Sequence, residues 1–171
     1  LILLVTCAES ATINVPADYA TIQAAVDAAA AGDTIRVNSG TYYENVDVNK
    51  ALTLQGNDTG SGLPVVDGGG SGNAITLSAN NCILKDFVAM NSSSGQSGIR
   101  VTSSYNTITG NTATGNYFGI YFYSSSGNTL SGNTATGNSY AGVYLYSSSG
   151  NTLSSNTATG NSYGILLYPS S

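Results

Sequence analysis

The sequence contains no histidine, one methionine and two cysteines in 171 residues. Metal sites that draw on clusters of those three residue types have almost nothing to be built from. Basic residues are nearly as scarce: four Lys and Arg against nine Asp and Glu give a net charge of -5. Nucleic acid is therefore not an expected partner, since phosphate contacts require a basic surface. No segment approaches 18 consecutive apolar residues, so no membrane-spanning helix is expected. Charge is also absent from a whole region. The last charged side chain is Arg100, and residues 101–171 carry none. Glycoside cleavage needs two carboxylates flanking one bond, and that region offers neither.

What fills the second half is repetition. "SSSGNTLSGNTATGNSY" (Ser124 to Tyr140) returns as "SSSGNTLSSNTATGNSY" (Ser147 to Tyr163), 23 positions later, with Gly132 replaced by Ser155. Asn106, Asn128 and Asn151 head successive copies, spaced 22 and 23. Asn111, Asn133 and Asn156 keep those spacings, as do Asn116, Asn138 and Asn161. A glycine precedes each long apolar strand, at Gly98, Gly119, Gly142 and Gly164. A period of 22–23 residues is too short for a helix-pair repeat and suits one coil of a β-solenoid with three short strands and three turns.

Alternation sets the facing. Ile120 and Phe122, Val143 and Leu145, and Ile165 and Leu167 fall on the inner face. Ile108, Leu130 and Leu153 form a second inner column, and Ala113, Ala135 and Ala158 a narrow third. Coils in register lie about 4.8 Å apart, so like stacks on like. An asparagine at a tight turn can satisfy turn backbone and bond the asparagine of the next coil. Asn111, Asn133 and Asn156 are the expected internal ladder, with Asp86 placed in the same column one coil earlier. Outward columns follow: Tyr121 over Tyr144, and Tyr123, Tyr146 and Tyr168, with Arg100 heading the first by cation–π contact. The "TAT" triplets put paired threonines outward, an array similar to that of ice-binding solenoids.

The first half reads differently. "TIQAAVDAAAAG" places Ile22, Ala25, Val26 and Ala29 at helical spacing, with Thr21 as N-cap and Gly32 as stop. Such a helix can cover the open end of a solenoid. The expected organisation is residues 1–11 as a signal-peptide remnant or first strand, 12–32 as a cap with a helix over about 21–31, and 33–171 as solenoid. Regular coils run over 98–168, and about five to six coils follow residue 33. The segment "LILLVTCAES" ends an apolar signal core with small residues at a cleavage site. Cys82 is then either a lone buried thiol or the partner of Cys7.

The run "DYATIQAAVDAAAAGDTIRVNSGTYYENVDVNKALTLQGND" resembles the opening of pectin-lyase-like right-handed parallel β-helix proteins. The "NTLSGNTATGNSYAGVYLY" coils resemble the repeats of carbohydrate-binding and sugar-hydrolase domains, which are abundant in surface proteins of methanogenic archaea. The resemblance implies an all-β right-handed parallel β-helix. It also implies carboxylates with Arg, Lys or bound calcium on an outer strand face for any enzyme of the superfamily. The candidates for that are Asp47, Asp58, Asp67, Asp86, Lys85 and Arg100, with Glu44 nearby, and no two of them form an evident acid–base pair. A copper-delivery role known among related β-helix proteins is not expected here, because the ligand types are missing.

The expected function is therefore a secreted, non-catalytic structural protein without cofactor. It would associate with itself through strand edges, with Ile165 and Leu167 on the terminal coil, and through its outer faces. Surface glycans are the alternative partner, stacking on the tyrosine columns. Sequons at Asn57 ("NDT") and Asn91 ("NSS") permit glycosylation if the chain is exported.

Overall fold

The computed structural model describes residues 10–171; the signal-remnant reading of the first residues, including Cys7, lies outside the described residues. The rest is a parallel β-solenoid of three sheets. The first sheet has seven strands, and the second and third have six each. Every neighbouring pair is parallel and in register, so that Ile108 aligns with Leu130 and Leu130 with Leu153. Six coils follow residue 33, and the strand Thr12–Val15 adds a seventh to the first sheet.

The strand lengths follow from the side chains. In the second sheet each strand is a three-residue unit such as Thr112–Thr114, with alanine inward and threonine outward. In the third sheet the later strands run to six residues, as in Phe118–Tyr123 and Ala141–Tyr146. Ile75, Ile99, Ile120 and Val143 stack along the inside of that sheet and are fully or almost fully buried. Aromatic and β-branched residues favour such pleated, half-buried surfaces.

Each coil turns three corners, and in the later coils the corners share one device. A residue with left-handed backbone is followed by an asparagine: Gly110 (φ 66°) by Asn111, Gly115 (φ 67°) by Asn116, Gly127 (φ 67°) by Asn128. Glycine meets this conformation without steric cost. The pattern corrects the expected position of Asp86. With φ 64° it occupies the left-handed slot of Gly110, whereas Phe87 stands where Asn111 stands one coil later. This coil is longer than its successors. Val88 pairs with Thr112, an offset of 24, so an acidic residue that looked equivalent by type is displaced by one position.

The helix Ile22–Ala28 packs its Ile22, Ala25 and Val26 into the N-terminal end of the core. Thr21 caps it by accepting from the Ala24 N–H. Two charged residues clamp it from the coil above. The Glu44 carboxylate accepts from the N–H groups of Ile22 and Gln23, both at 2.9 Å. At the other end the Lys50 ammonium donates to the carbonyls of Val26, Asp27 and Ala29, at 2.7–3.0 Å. The arrangement complements the helix dipole at both ends.

Candidate functional site

The corners hold most of the polar chemistry, and it is turned inward. In the ladder Asn111–Asn133–Asn156, the Oδ1 of Asn133 and that of Asn156 each accept both the backbone N–H and the Nδ2 of the asparagine one coil earlier. Asn133 Oδ1 lies 2.9 and 3.0 Å from those two atoms of Asn111. Asn133 Nδ2 donates to Ile108 O at 2.9 Å and Ser131 O at 3.1 Å. Two further ladders repeat this geometry: Asn106–Asn128–Asn151 and Asn116–Asn138–Asn161. Their common spacing was visible in the sequence, but nothing there ranked one corner above another. The ladders begin where Cys82, Phe87 and Ser92 donate their backbone N–H to Asn106, Asn111 and Asn116.

The ladder dictates the glycine column beside it. A Cβ at Gly119 would lie 2.5 Å from Gly142 O and 2.7 Å from Asn138 Nδ2. One at Gly142 would lie 2.6 Å from Asn161 Nδ2. No larger residue fits there without displacing the ladder.

Four of the candidate carboxylates are occupied elsewhere. Glu44 caps the helix. Asp67 accepts from Gly69 N–H and from Asn91 Nδ2, both at 2.8 Å. Asp58 accepts from the N–H groups of Gly60 and Gly62, and the Gly60 bond foremost holds its carboxyl below the usual range. Asp47 accepts from the Ser78 hydroxyl. Lys85 lies on a first-sheet strand and Arg100 on a third-sheet strand, so the Lys85–Asp86–Arg100 grouping is divided between two walls.

Aromatic side chains form the main outward cluster. The rings of Tyr121 and Tyr144 stack at 5.0 Å, those of Tyr123 and Tyr146 at 5.6 Å, and those of Tyr146 and Tyr168 at 5.8 Å. Arg100 lies 5.1 Å from the Tyr121 ring centre and 5.3 Å from that of Tyr123. Tyr121 is not a surface platform, however. Phe118 at 4.8 Å and Arg100 roof it, leaving it 8% exposed, and this burial pushes its phenol pKa up. The accessible rings are Tyr123, Tyr163 and Tyr168. A groove of about 330 Å³ runs between Tyr140, Tyr144, Tyr163, Leu166 and Tyr168. Tyr117 and Phe118, which strand alternation alone did not single out, complete the cluster, with Tyr117 stacked on Tyr140 at 5.3 Å.

Residues 26–171 match the model of the family described as periplasmic copper-binding protein (NosD). The chain belongs to this family. It is also 33% identical over 112 residues to a cell surface glycoprotein of Methanothermus fervidus, a match covering 64% of this chain and 17% of that relative. The chain thus spans under a fifth of the relative's length. Both findings agree with the resemblance to β-helix proteins and methanogen surface proteins.

The donor set of this NosD-family member does not fit copper. Histidine is missing from the entire sequence. Met90 and Cys82, the soft donors among the described residues, belong to different walls: Met90 ends a second-sheet strand, and Cys82 precedes a first-sheet strand. Met90 faces outward beside the inward Ala89. Cys82 is 1% exposed, and its thiol lies 3.1 Å from Ala79 O as a donor. Burial pushes the Cys82 thiol pKa up, away from the thiolate that would bind a soft metal.

Proposed function

We propose that this chain is an exported, non-catalytic wall element of the cell surface, built to stack and to present uncharged outer faces. The observation that carries this reading is the use of its polar groups. Nine asparagines are committed to ladders, and the carboxylates of Glu44, Asp47, Asp58 and Asp67 to backbone N–H groups or neighbouring side chains. Family membership and the surface glycoprotein relative support it. Turnover of any uronate or neutral glycan by the purified chain would overturn it.

Self-association is part of the proposal, and the ladders constrain its geometry. Each corner N–H of one coil is met by an Asn Oδ1 of the next, so the stacking is polar. Ile165 and Leu167 are 50% and 56% exposed on the last described coil, continuing the inner column of Val143 and Leu145. A coil that covers them, from this chain or another, must bring asparagine carbonyls to three corners. Two such edges facing each other would oppose donor to donor. Association between copies is therefore expected through the outer faces, or by parallel addition of a like coil. Negative-stain electron microscopy over a concentration series tests this. Filaments or sheets that Leu167→Lys abolishes support edge stacking, and single short rods at every concentration refute self-assembly.

The tyrosine groove favours a second reading, a surface on which sugar rings stack. Binding of a neutral glycan that is lost in Tyr163→Ala and Tyr168→Ala, but kept in Tyr121→Phe, would establish it.

A further inference from the structure

Two sequons occur in this chain, and the structure treats them differently. Asn57 closes the first-sheet strand Thr53–Asn57 and is half-buried. Its Oδ1 accepts from Arg36 Nη2 at 2.7 Å, and its Nδ2 donates to Asn38 Oδ1 at 2.7 Å. The third sequon residue is tied down as well, since Thr59 N–H donates to Ser39 Oγ at 2.8 Å. Both polar atoms of the Asn57 amide are thus engaged by the preceding coil.

Asn91 is exposed at the corner that follows the second-sheet strand Val88–Met90. Its backbone is left-handed, at φ 57°, the conformation adopted at this corner in later coils by Gly115, Gly137 and Gly160. Those glycines carry no side chain, so the surface beside Asn91 is open along the solenoid axis. A Cβ at Gly115 would meet nothing within 4 Å. The opening is a groove of about 290 Å³ bounded by Ser92, Ser94, Gly115, Tyr117, Gly137 and Ser139. On the other side Asp67 Oδ1 takes one amide hydrogen of Asn91 Nδ2 at 2.8 Å. Among the described residues no acceptor takes the second.

We infer that Asn91 is the attachment site of an N-linked glycan, that Asn57 is not, and that the first sugar units lie along the groove toward Tyr117. The inference rests on the exported reading above. The transfer would use a lipid-linked oligosaccharide phosphoester. The bond from the sugar anomeric carbon to phosphate oxygen breaks, and a bond from that carbon to Nδ2 forms. One Nδ2 proton is lost, and the lipid phosphate departs. The hydrogen retained on Nδ2 is the one that bonds Asp67, so modification leaves that contact in place. The hydroxyl of Ser93, the third residue of this sequon, accepts one bond of 3.2 Å from the N–H of exposed Gly72, while its backbone is held by its own N–H to Gly72 O and by the Gln96 N–H to Ser93 O. The Asn57 sequon differs at the asparagine itself, which is half-buried and whose Oδ1 is held by Arg36.

The test is glycopeptide mass spectrometry of the chain secreted from a host in which an appended sequon-bearing tag is itself glycosylated. The expected result is a glycan on Asn91 and a bare Asn57. Ser93→Ala, which keeps Asn91 and the corner, should lose the glycan, and Ser93→Thr should keep it. A bare Asn91 beside a modified tag overturns the proposal, as does any glycan on Asn57. Either failure leaves the wall-element reading intact, because microscopy of the unmodified chain tests that separately.

Discussion

Asn133→Ala is the perturbation that most directly examines the ladders. Asn133 is 1% exposed and sits at the centre of its column. Truncation removes the acceptor of the Asn111 N–H, a group that is itself buried, and the donor to Ile108 O. A buried polar group left without a partner costs about 1–3 kcal/mol. The Asn111 N–H is orphaned, whereas Ile108 O loses one of its donors and keeps its strand partner, which sets a loss of roughly 2–3 kcal/mol. For a chain of this size that corresponds to a fall in melting midpoint of about 4–12 °C. The assay is thermal or urea unfolding followed by the circular dichroism of the sheets, compared by midpoint because repeat proteins need not unfold in one step. Thr134→Ala, one residue along and facing outward, is the matched control and should cost under about 1 kcal/mol. Asn133→Asp separates the two halves of the ladder bond. It keeps an acceptor for Asn111 but turns an oxygen toward the carbonyls of Ile108 and Ser131. If Asn133→Ala and Thr134→Ala unfold at the same midpoint, the ladders do not stabilise the coil and the reasoning fails.

Four further outcomes follow from the structure. Gly142→Ala should destabilise by about 2–3 kcal/mol, because its Cβ meets a backbone carbonyl and a ladder amide, as over-packed positions do. Gly115→Ala has open space around its Cβ but a left-handed backbone, and should cost only about 1 kcal/mol in the same melts. Ser155 holds φ 54° where its twin Gly132 holds φ 64°. Ser155→Gly should therefore raise stability by about 1 kcal/mol, and an unchanged midpoint would refute that account. Asp33 is held below the usual carboxylate range by the N–H of Ala11 and then of Ala30, against an opposing effect of burial. Its stabilisation is present above the unfolded value, about 3.9, and is lost as pH falls through the lower folded value. Acid titration of stability should therefore be flatter at its low end in Asp33→Asn.

The period and the alternation were enough to place the inner columns, because burial on one face of a strand leaves a pattern of two that no other arrangement produces. Ile120, Val143 and Ile165 sit in one register for that reason. Asp86 marks the limit of that pattern. Its coil is longer, and residue type suggested a partner that backbone conformation denies. The helix clamp was legible in principle, since Glu44 stands 22 residues from Ile22, one period away. The sequence hides it because a carboxylate shows its type there and not which backbone N–H groups lie one coil below. The roofing of Tyr121 depended on Phe118, which belongs to the same strand but points around its edge. Alternation gives the face of a side chain and not what covers it.

The ladder corners have a consequence for how such a chain can change. Each coil meets its neighbours through the same bonds on both sides, so the contacts a coil gives are the contacts it receives. Removing or duplicating one whole coil would rejoin matching surfaces, whereas losing a fraction of a coil would break three ladders together. The molecule is thus divided into interchangeable units about 4.8 Å thick. Its length can be set by unit count, with the outer pattern carried forward unchanged, much as a ruler is extended by its own gradations.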